Sequence, residues 1–206
     1  MTIHMMGWIE TISEKQFLVL GMIAHPPFDI TGVSGTMLNE LIEERNVKQW
    51  SRLSFSSVYY IITQLEKMKL IKAKETISNT KAQSEVGAPQ KLFIVTSTGQ
   101  RILKSTVIHY FHKMDLNYQE MNLALAAAFV FDDEEFLDTI KNYKKRIDER
   151  IEVVRGRFKE DSKHEQEGDL PIHVWALFNY SFNSLSAKNN FLKELIDKIE
   201  EKLNSN

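Results

Sequence analysis

Wound as a helix, Ser54-Phe55-Ser56-Ser57-Val58-Tyr59-Tyr60-Ile61-Ile62-Thr63-Gln64-Leu65-Glu66-Lys67-Met68 has one oily and one wet side. Val58, Ile61, Ile62, Leu65 and Met68 recur at steps of three and four, the period of a helix with one buried stripe. Ser54 stands where an N-cap is wanted. The opposite side presents Ser56, Ser57, Tyr60, Thr63, Gln64 and Lys67, a set of hydroxyl, amide, aromatic and ammonium groups without a carboxylate. A helix lying in the major groove needs donors for base edges, cations for phosphates and no anion to repel them.

Working outward, Ile12-Ser13-Glu14-Lys15-Gln16-Phe17 reads as a helix start with a capping box between Ser13 and Gln16. That helix is expected to stop near Ala24, before Pro26-Pro27. A loop from Asp29 to Gly35 leads to a second helix, about 36–45, with Met37, Leu38, Leu41 and Ile42 on its apolar side. Beyond Met68 the period changes to two, in Ile71 to Ile77 and again in Lys91 to Thr96, which predicts two strands. The polar stretch 78–90 joins them, and Thr96-Ser97-Thr98-Gly99 opens a further helix to about His112. Three helices, a two-stranded wing and a helix follow in winged helix-turn-helix order. Residues 48–104 hold ten Lys and Arg against three Glu, a local positive field that attracts polyanions. Lys81 and Lys91 on the wing are chosen as phosphate contacts from charge and position.

Two blocks resemble the PadR-like transcription regulators. Trp50-Ser51-Arg52-Leu53-Ser54-Phe55-Ser56-Ser57-Val58-Tyr59-Tyr60 through Glu66 is similar to that family's recognition-helix region, a Ser-x-x-Ser-[Ile/Val]-Tyr start leading to Leu-Glu. Gly87-Ala88-Pro89-Gln90-Lys91-Leu92-Phe93-Ile94-Val95-Thr96-Ser97-Thr98-Gly99 resembles its Gly-Arg-Pro wing signature. The resemblance covers about residues 14–104. It implies a DNA-binding regulator, a repressor in the first instance, with Tyr59 and the Ser54/Ser57 region near the DNA backbone. It also implies a C-terminal helical dimerisation domain and, in some members, an aromatic-lined space for flat hydrophobic compounds, to which Trp175 would contribute. The chain departs from the pattern at Ala88, where the wing arginine usually stands, at Thr63 and Gln64, where late basic residues are common, and at Gly35-Thr36. Those departures leave open a second reading, a ligand- or protein-binding dimer that keeps the scaffold without DNA binding.

The second half reads as helical without help from the resemblance. Asn122 to Phe131 is almost wholly apolar and is expected as a buried helix. Asp132-Asp133-Glu134-Glu135 supplies a cap and acidic first turn for a long helix bearing Phe136, Ile140, Tyr143, Ile147, Ile151, Val154 and Phe158. Lys159 to Asp169 is expected as a charged loop. In the last helix Trp175, Phe178, Phe182, Leu185, Asn189, Leu192, Ile196, Ile199 and Leu203 alternate steps of three and four, a heptad seam expected to join two copies, with Asn189 its one polar member. The alternative is that this seam packs on the preceding long helix of the same chain. The expected organisation is a DNA-binding domain over residues 1–112 and a helical dimerisation domain over 113–206, mainly α throughout.

Composition narrows the remaining classes. With 43% hydrophobic and 26% charged residues the 206-residue chain is an ordinary folded protein, and with no cysteine it has neither disulfides nor thiolate metal sites. The longest apolar run, Leu123 to Phe131, is about half the roughly 20 residues of a membrane helix. The start Met-Thr-Ile-His-Met-Met-Gly-Trp has no secretory pattern, so a cytoplasmic location is expected. His109 and His112 sit three apart without a third ligand in reach of the sequence, and no phosphate loop, nucleophile elbow or catalytic carboxylate pair is present. Neither an enzyme nor a metal or organic cofactor is expected. The partners expected are double-stranded DNA, a second copy and a small hydrophobic effector.

Overall fold

The structure, a computed structural model, describes residues 12–51, 53–74, 91–113, 117–164 and 171–205. The chain divides into two compact units, Met1–Tyr110 with Leu116–Val130, and Phe111–Asp115 with Phe131–Asn206.

In the first unit α1 (Glu14–Ala24) starts with the expected capping box. The Gln16 backbone N–H donates to Ser13 Oγ at 3.2 Å, and Gln16 Oε1 accepts from Ser13 N at 2.8 Å. The helix stops before the Pro26-Pro27 pair, as its missing N–H groups dictate. Two short helices add to the expected elements: α2 (Phe28–Thr31), in the stretch expected as a loop from Asp29, and α4 (Val47–Trp50). Between them lies α3 (Gly35–Glu44), capped by the buried Ser34, whose Oγ accepts from Met37 N at 3.2 Å. Next comes α5 (Phe55–Lys67). Its Val58, Ile61, Ile62 and Leu65 are buried as their spacing requires, while Met68 just past its end is half-buried. They share a core with Phe17, Leu20 and Ile23 of α1 and Leu38 and Ile42 of α3. Each such fully buried side chain contributes about 1.5–3 kcal/mol.

The wing follows. Strand β1 (Ile71–Ala73) pairs antiparallel with β2 (Phe93–Val95) in the register Ile71–Val95, Lys72–Ile94, Ala73–Phe93. Lys74 N continues the ladder to Leu92 O at 2.8 Å. The expected strands are longer, but residues 75–90 lie outside the described ones. Val33, just before α3, adds a third short rung: Val33 and Phe93 exchange backbone hydrogen bonds of 3.0 and 2.9 Å. With α6 (Ser97–His112) behind the sheet, this is a winged helix-turn-helix.

The joint between wing and α6 is made by backbone groups and the Thr96 hydroxyl. Thr96 N donates to Leu70 O at 3.0 Å, Thr96 Oγ1 to Lys69 O at 2.8 Å and Leu70 O at 3.1 Å, and Gly99 N to Thr96 Oγ1 at 3.0 Å. A Cβ on Gly99 would stand 2.1 Å from Leu70 O, so only glycine permits this approach.

The apolar stretch expected as a helix over 122–131 is placed differently. Helix α7 (Tyr118–Ala126) starts earlier, at an Asn117–Glu120 capping box, and ends at Ala127 in a 3-10 turn, Ala128–Val130. It packs on α1: Gln119 Nε2 donates to Glu14 Oε2 at 2.8 Å, and the Phe129 ring meets His25 edge-on at 4.9 Å. The compact division therefore differs from the expected one at 112/113 by assigning this segment to the first unit.

The second unit is an antiparallel pair of long helices, α8 (Asp133–His164) and α9 (Ile172–Asn204). Asp132 Oδ1 accepts from Glu135 N at 2.8 Å, the expected cap. Helix α8 runs to His164, through residues expected as loop. Their order is fixed by Lys202–Asp133 at 2.7 Å and Lys141–Glu200 at 2.6 Å at one end and the Phe158–Phe178 ring pair at 5.4 Å at the other. Phe111, at the last turn of α6, packs on Tyr143 and Phe136. Arg146 donates to the carbonyls of Phe111 and of His112, the latter at 2.7 Å, satisfying two C-terminal acceptors of α6.

Candidate nucleic-acid interface

Four of the residues chosen on α5 stand in one exposed line, Ser56, Tyr60, Thr63 and Lys67, at steps of four, three and four. Tyr60 is 66% exposed and Tyr59 55%. Both rings thus stand well into water on the outer side of α5. Thr63 Oγ1 donates to Tyr59 O at 3.0 Å, which leaves its methyl and an accepting lone pair facing outward.

The other six chosen positions divide by their angle around the helix or their place outside it. Gln64, one residue past Thr63 and so about 100° round, accepts from Gln16 Nε2 at 3.0 Å and ties α5 to α1. Ser57 is half-buried, its Oγ 2.6 Å from Ser54 Oγ. Ser54 occupies the N-cap position as expected, but its side chain bonds to Ser57 and Ser56 rather than to a backbone N–H. Lys81 lies outside the described residues.

Lys91 has a different partner from the one its charge suggests. Its Nζ sits 2.7 Å from Glu66 Oε1 and 5.0 Å from the centre of the Phe93 ring. Glu66 is the single carboxylate of α5, and it flanks Tyr59 rather than the line through Tyr60. Lys91 cancels the one charge on the helix that would repel a phosphate.

Tyr59 is set by a residue that sequence reading passed over as a contact. A Cβ on Gly35 would stand 2.4 Å from Tyr59 Cε1, so the ring lies flat on the first turn of α3. Its hydroxyl is 3.5 Å from that of the exposed Thr36. Tyr59 and Thr36 thus present two hydroxyls beside the N-terminus of α3. The signal was Ser34-Gly35-Thr36, a cap followed by the one residue that admits an aromatic ring. At the base of the wing Lys74 Nζ donates to Ile30 O at 2.8 Å and Thr31 O at 3.1 Å, fixing the sheet to α2, and Lys69 and Lys72 are exposed.

The seam of α9 faces its own neighbour. Leu192, Ile196 and Ile199 are buried, and Phe178 and Phe182 pack against Phe158 and the Arg155 guanidinium of α8. Leu185 and Asn189 are half-buried, with Asn189 Oδ1 covered and without a hydrogen-bond partner. Trp175, at the first turn, is 47% exposed. Within the chain the seam therefore packs on α8, as the intramolecular alternative has it, with its first turns only partly covered. His109 and His112 are both exposed, and no group of three metal-ligating side chains occurs among the described residues. Among them no helix is long and apolar enough to cross a membrane.

No protein-family model matches the chain, and no curated protein does. Among solved structures it is similar to Bacillus subtilis PadR in complex with operator DNA, at 15% identity and TM-score 0.36 over 89% of this chain and 98% of that one. It is similar to the same protein in complex with p-coumaric acid at 13% and 0.36, over 91% and 99%. It is also similar to the PadR-like transcriptional regulator BC1756 from Bacillus cereus at 18% and 0.36, over 91% and 99%. At this TM-score the overlap is too loose to transfer a residue's role.

Proposed function

We propose that the chain is a DNA-binding transcription regulator that acts as a homodimer on a palindromic operator. The observation that supports it is the exposed line Ser56, Tyr60, Thr63 and Lys67 on the third main helix of a winged helix, with Glu66 beside it neutralised by Lys91. In this reading α5 enters the major groove, Tyr60 and Thr63 meet base edges, and Lys67 meets a phosphate. Tyr59 and Thr36 approach the flanking backbone, and the wing carrying Lys81 lies along the neighbouring phosphates. Residues 1–112 read DNA, and the helices beyond hold two copies roughly 34 Å apart, one helical turn. Repression follows where the operator overlaps a promoter. A flat hydrophobic effector acting near Trp175 would release it by changing the spacing of the two half-sites.

Footprinting on the DNA upstream of its own gene tests this. Protection of two half-sites one turn apart, lost in a Tyr60→Ala/Lys67→Ala variant that stays folded, is the expected result. No protection at low salt favours the reading without DNA binding, for which the engagement of Gln64 with Gln16 and of Lys91 with Glu66 speaks. For the effector, phenolic acids should quench fluorescence in the wild type and not in Trp175→Phe.

A further inference from the structure

A cavity of about 490 Å³ lies within the first unit, among the end of α1, α2, the first turns of α6 and the 3-10 turn after α7. Its lining is of two kinds. Helix α6 lends Arg101 and Lys104, three apart and so on one face. The other elements lend Pro26, Phe129 and Val130, which are apolar, and the half-buried Asp29. Asp29 Oδ1 is covered from solvent and has no hydrogen-bond partner, although two cations line the same cavity. An acceptor left so bears its desolvation penalty without return. Arg101 reaches only Thr98 Oγ1, at 3.4 Å, among the described residues. Opposite charges that share a cavity without meeting leave room for a molecule that carries the complement of each.

We propose that this cavity binds a nucleoside monophosphate, with its phosphate on Arg101 and Lys104 and an N–H donor of its base on Asp29. A phosphate monoester carries about two negative charges near pH 7, which two cations match, and the guanidinium fork suits its oxygens. An ionised carboxylate can only accept, so the group facing Asp29 must donate. Pro26, Phe129 and Val130 cover the flat body between the two ends. The volume falls in the roughly 300–1,000 Å³ of small-molecule sites, more than a bare anion or an amino acid fills.

The lining also adjoins both anchors of the wing. Asp29 precedes Ile30 and Thr31, whose carbonyls hold Lys74. Ser97, a further lining residue, follows Thr96, whose N–H and hydroxyl bond Leu70 O. A nucleotide joining Asp29 to Arg101 braces the base of the wing from two sides. On the DNA-binding reading above, on which this consequence alone rests, it raises operator affinity by lowering the ordering that binding demands.

Calorimetric titration of the full chain tests the site with GMP, whose base edge offers an N–H and an amino group, against L-phenylalanine and inorganic phosphate. GMP should bind saturably at micromolar concentration, at least ~10-fold tighter than either of the others. Asp29→Asn and Arg101→Gln should each weaken GMP at least ~10-fold, and Asp29→Asn should leave phosphate binding unchanged. Without ligand, Asp29→Asn should melt at or above the wild-type temperature, since it removes a covered charge that has no partner. Absence of saturable GMP binding, GMP binding that both variants leave intact, or tighter binding of phosphate or phenylalanine overturns the site. If GMP binds as expected and operator affinity does not rise with it, the site stands and the bracing of the wing falls. If no DNA binds at all, the DNA-binding reading fails and the calorimetry decides the site by itself.

Discussion

Replacing Gly99 by alanine should unseat α6 from the wing. The new methyl would lie 2.1 Å from Leu70 O and 2.9 Å from Val95 Cγ2, where ordinary contact begins at 3.4 Å. The backbone has to open by about 1.3 Å. That movement carries Thr96 N and Thr96 Oγ1 away from Leu70 O, from 3.0 and 3.1 Å to beyond bonding range. Two lost hydrogen bonds cost about 2–3 kcal/mol together. Crowding adds about 1–2 kcal/mol, and alanine's better helix propensity returns up to about 1 kcal/mol. The net expectation is a loss of about 3 kcal/mol, or roughly 6–12 °C in Tm. Gly21→Ala is the matched control. It sits inside α1 with its nearest neighbour, Leu103 Cδ1, at 3.8 Å, and should stabilise by about 0.5–1 kcal/mol. Urea melts of both variants followed by circular dichroism decide the matter. If Gly99→Ala melts within ~0.5 kcal/mol of wild type, or falls no further than Gly21→Ala, the backbone joint does not hold the wing as described.

Three further outcomes are expected. Burial, then the charges of Glu14 and Glu120, push the Tyr110 phenol up to about 12. The folded state therefore holds its proton more tightly than the unfolded one, and stability should fall as pH rises from about 10 through 12, by ~1.4 kcal/mol per unit. Tyr110→Phe should remove that slope, and a slope that survives would assign it to other groups. Lys67→Ala should lower the salt dependence of DNA binding by about one per module, an unchanged slope removing Lys67 from the interface. Lys91→Ala should weaken DNA binding roughly two- to threefold by unmasking Glu66 at several ångströms from the phosphates, and Lys91→Ala/Glu66→Gln should regain it. A double variant no tighter than the single one sinks the masking role.

The winged helix was legible because its elements announce themselves locally. The Ser13–Gln16 capping box, the Val58 to Leu65 stripe and the change to period two at Ile71 each fix one element without reference to the rest. What escaped depends on partners distant in sequence. Gln64 was read as outward because a helical wheel does not contain α1, where Gln16 waits. Lys91 was read as a phosphate contact because net charge does not say which carboxylate lies 25 positions back in the chain. The 122–131 helix was placed too late because its apolar run drew attention from the Asn117–Glu120 cap that sets its start. On α9 the heptad expected to join two copies also lines the hairpin with α8, a neighbour that the wheel of one helix does not contain.

The sparse cations of α5 bear on why the proposed regulator would act as a pair. Lys67 is the one Lys or Arg of that helix, and Lys91 is engaged with Glu66. A module with so few phosphate contacts gains little from counterion release, which supplies most non-specific affinity. In the proposed reading Tyr60 and Thr63 discriminate bases without adding much attraction, and Tyr59 adds only a neutral backbone contact. Useful occupancy then requires two modules held together, where the second binds at an effective concentration set by the first. A variant that light scattering shows to be monomeric and circular dichroism shows to be folded should therefore lose DNA affinity by far more than the twofold loss of one site, and should halve the salt slope. If the separated chain bound the same operator as tightly as the wild type, the affinity would have to come from contacts other than those on α5 and the wing.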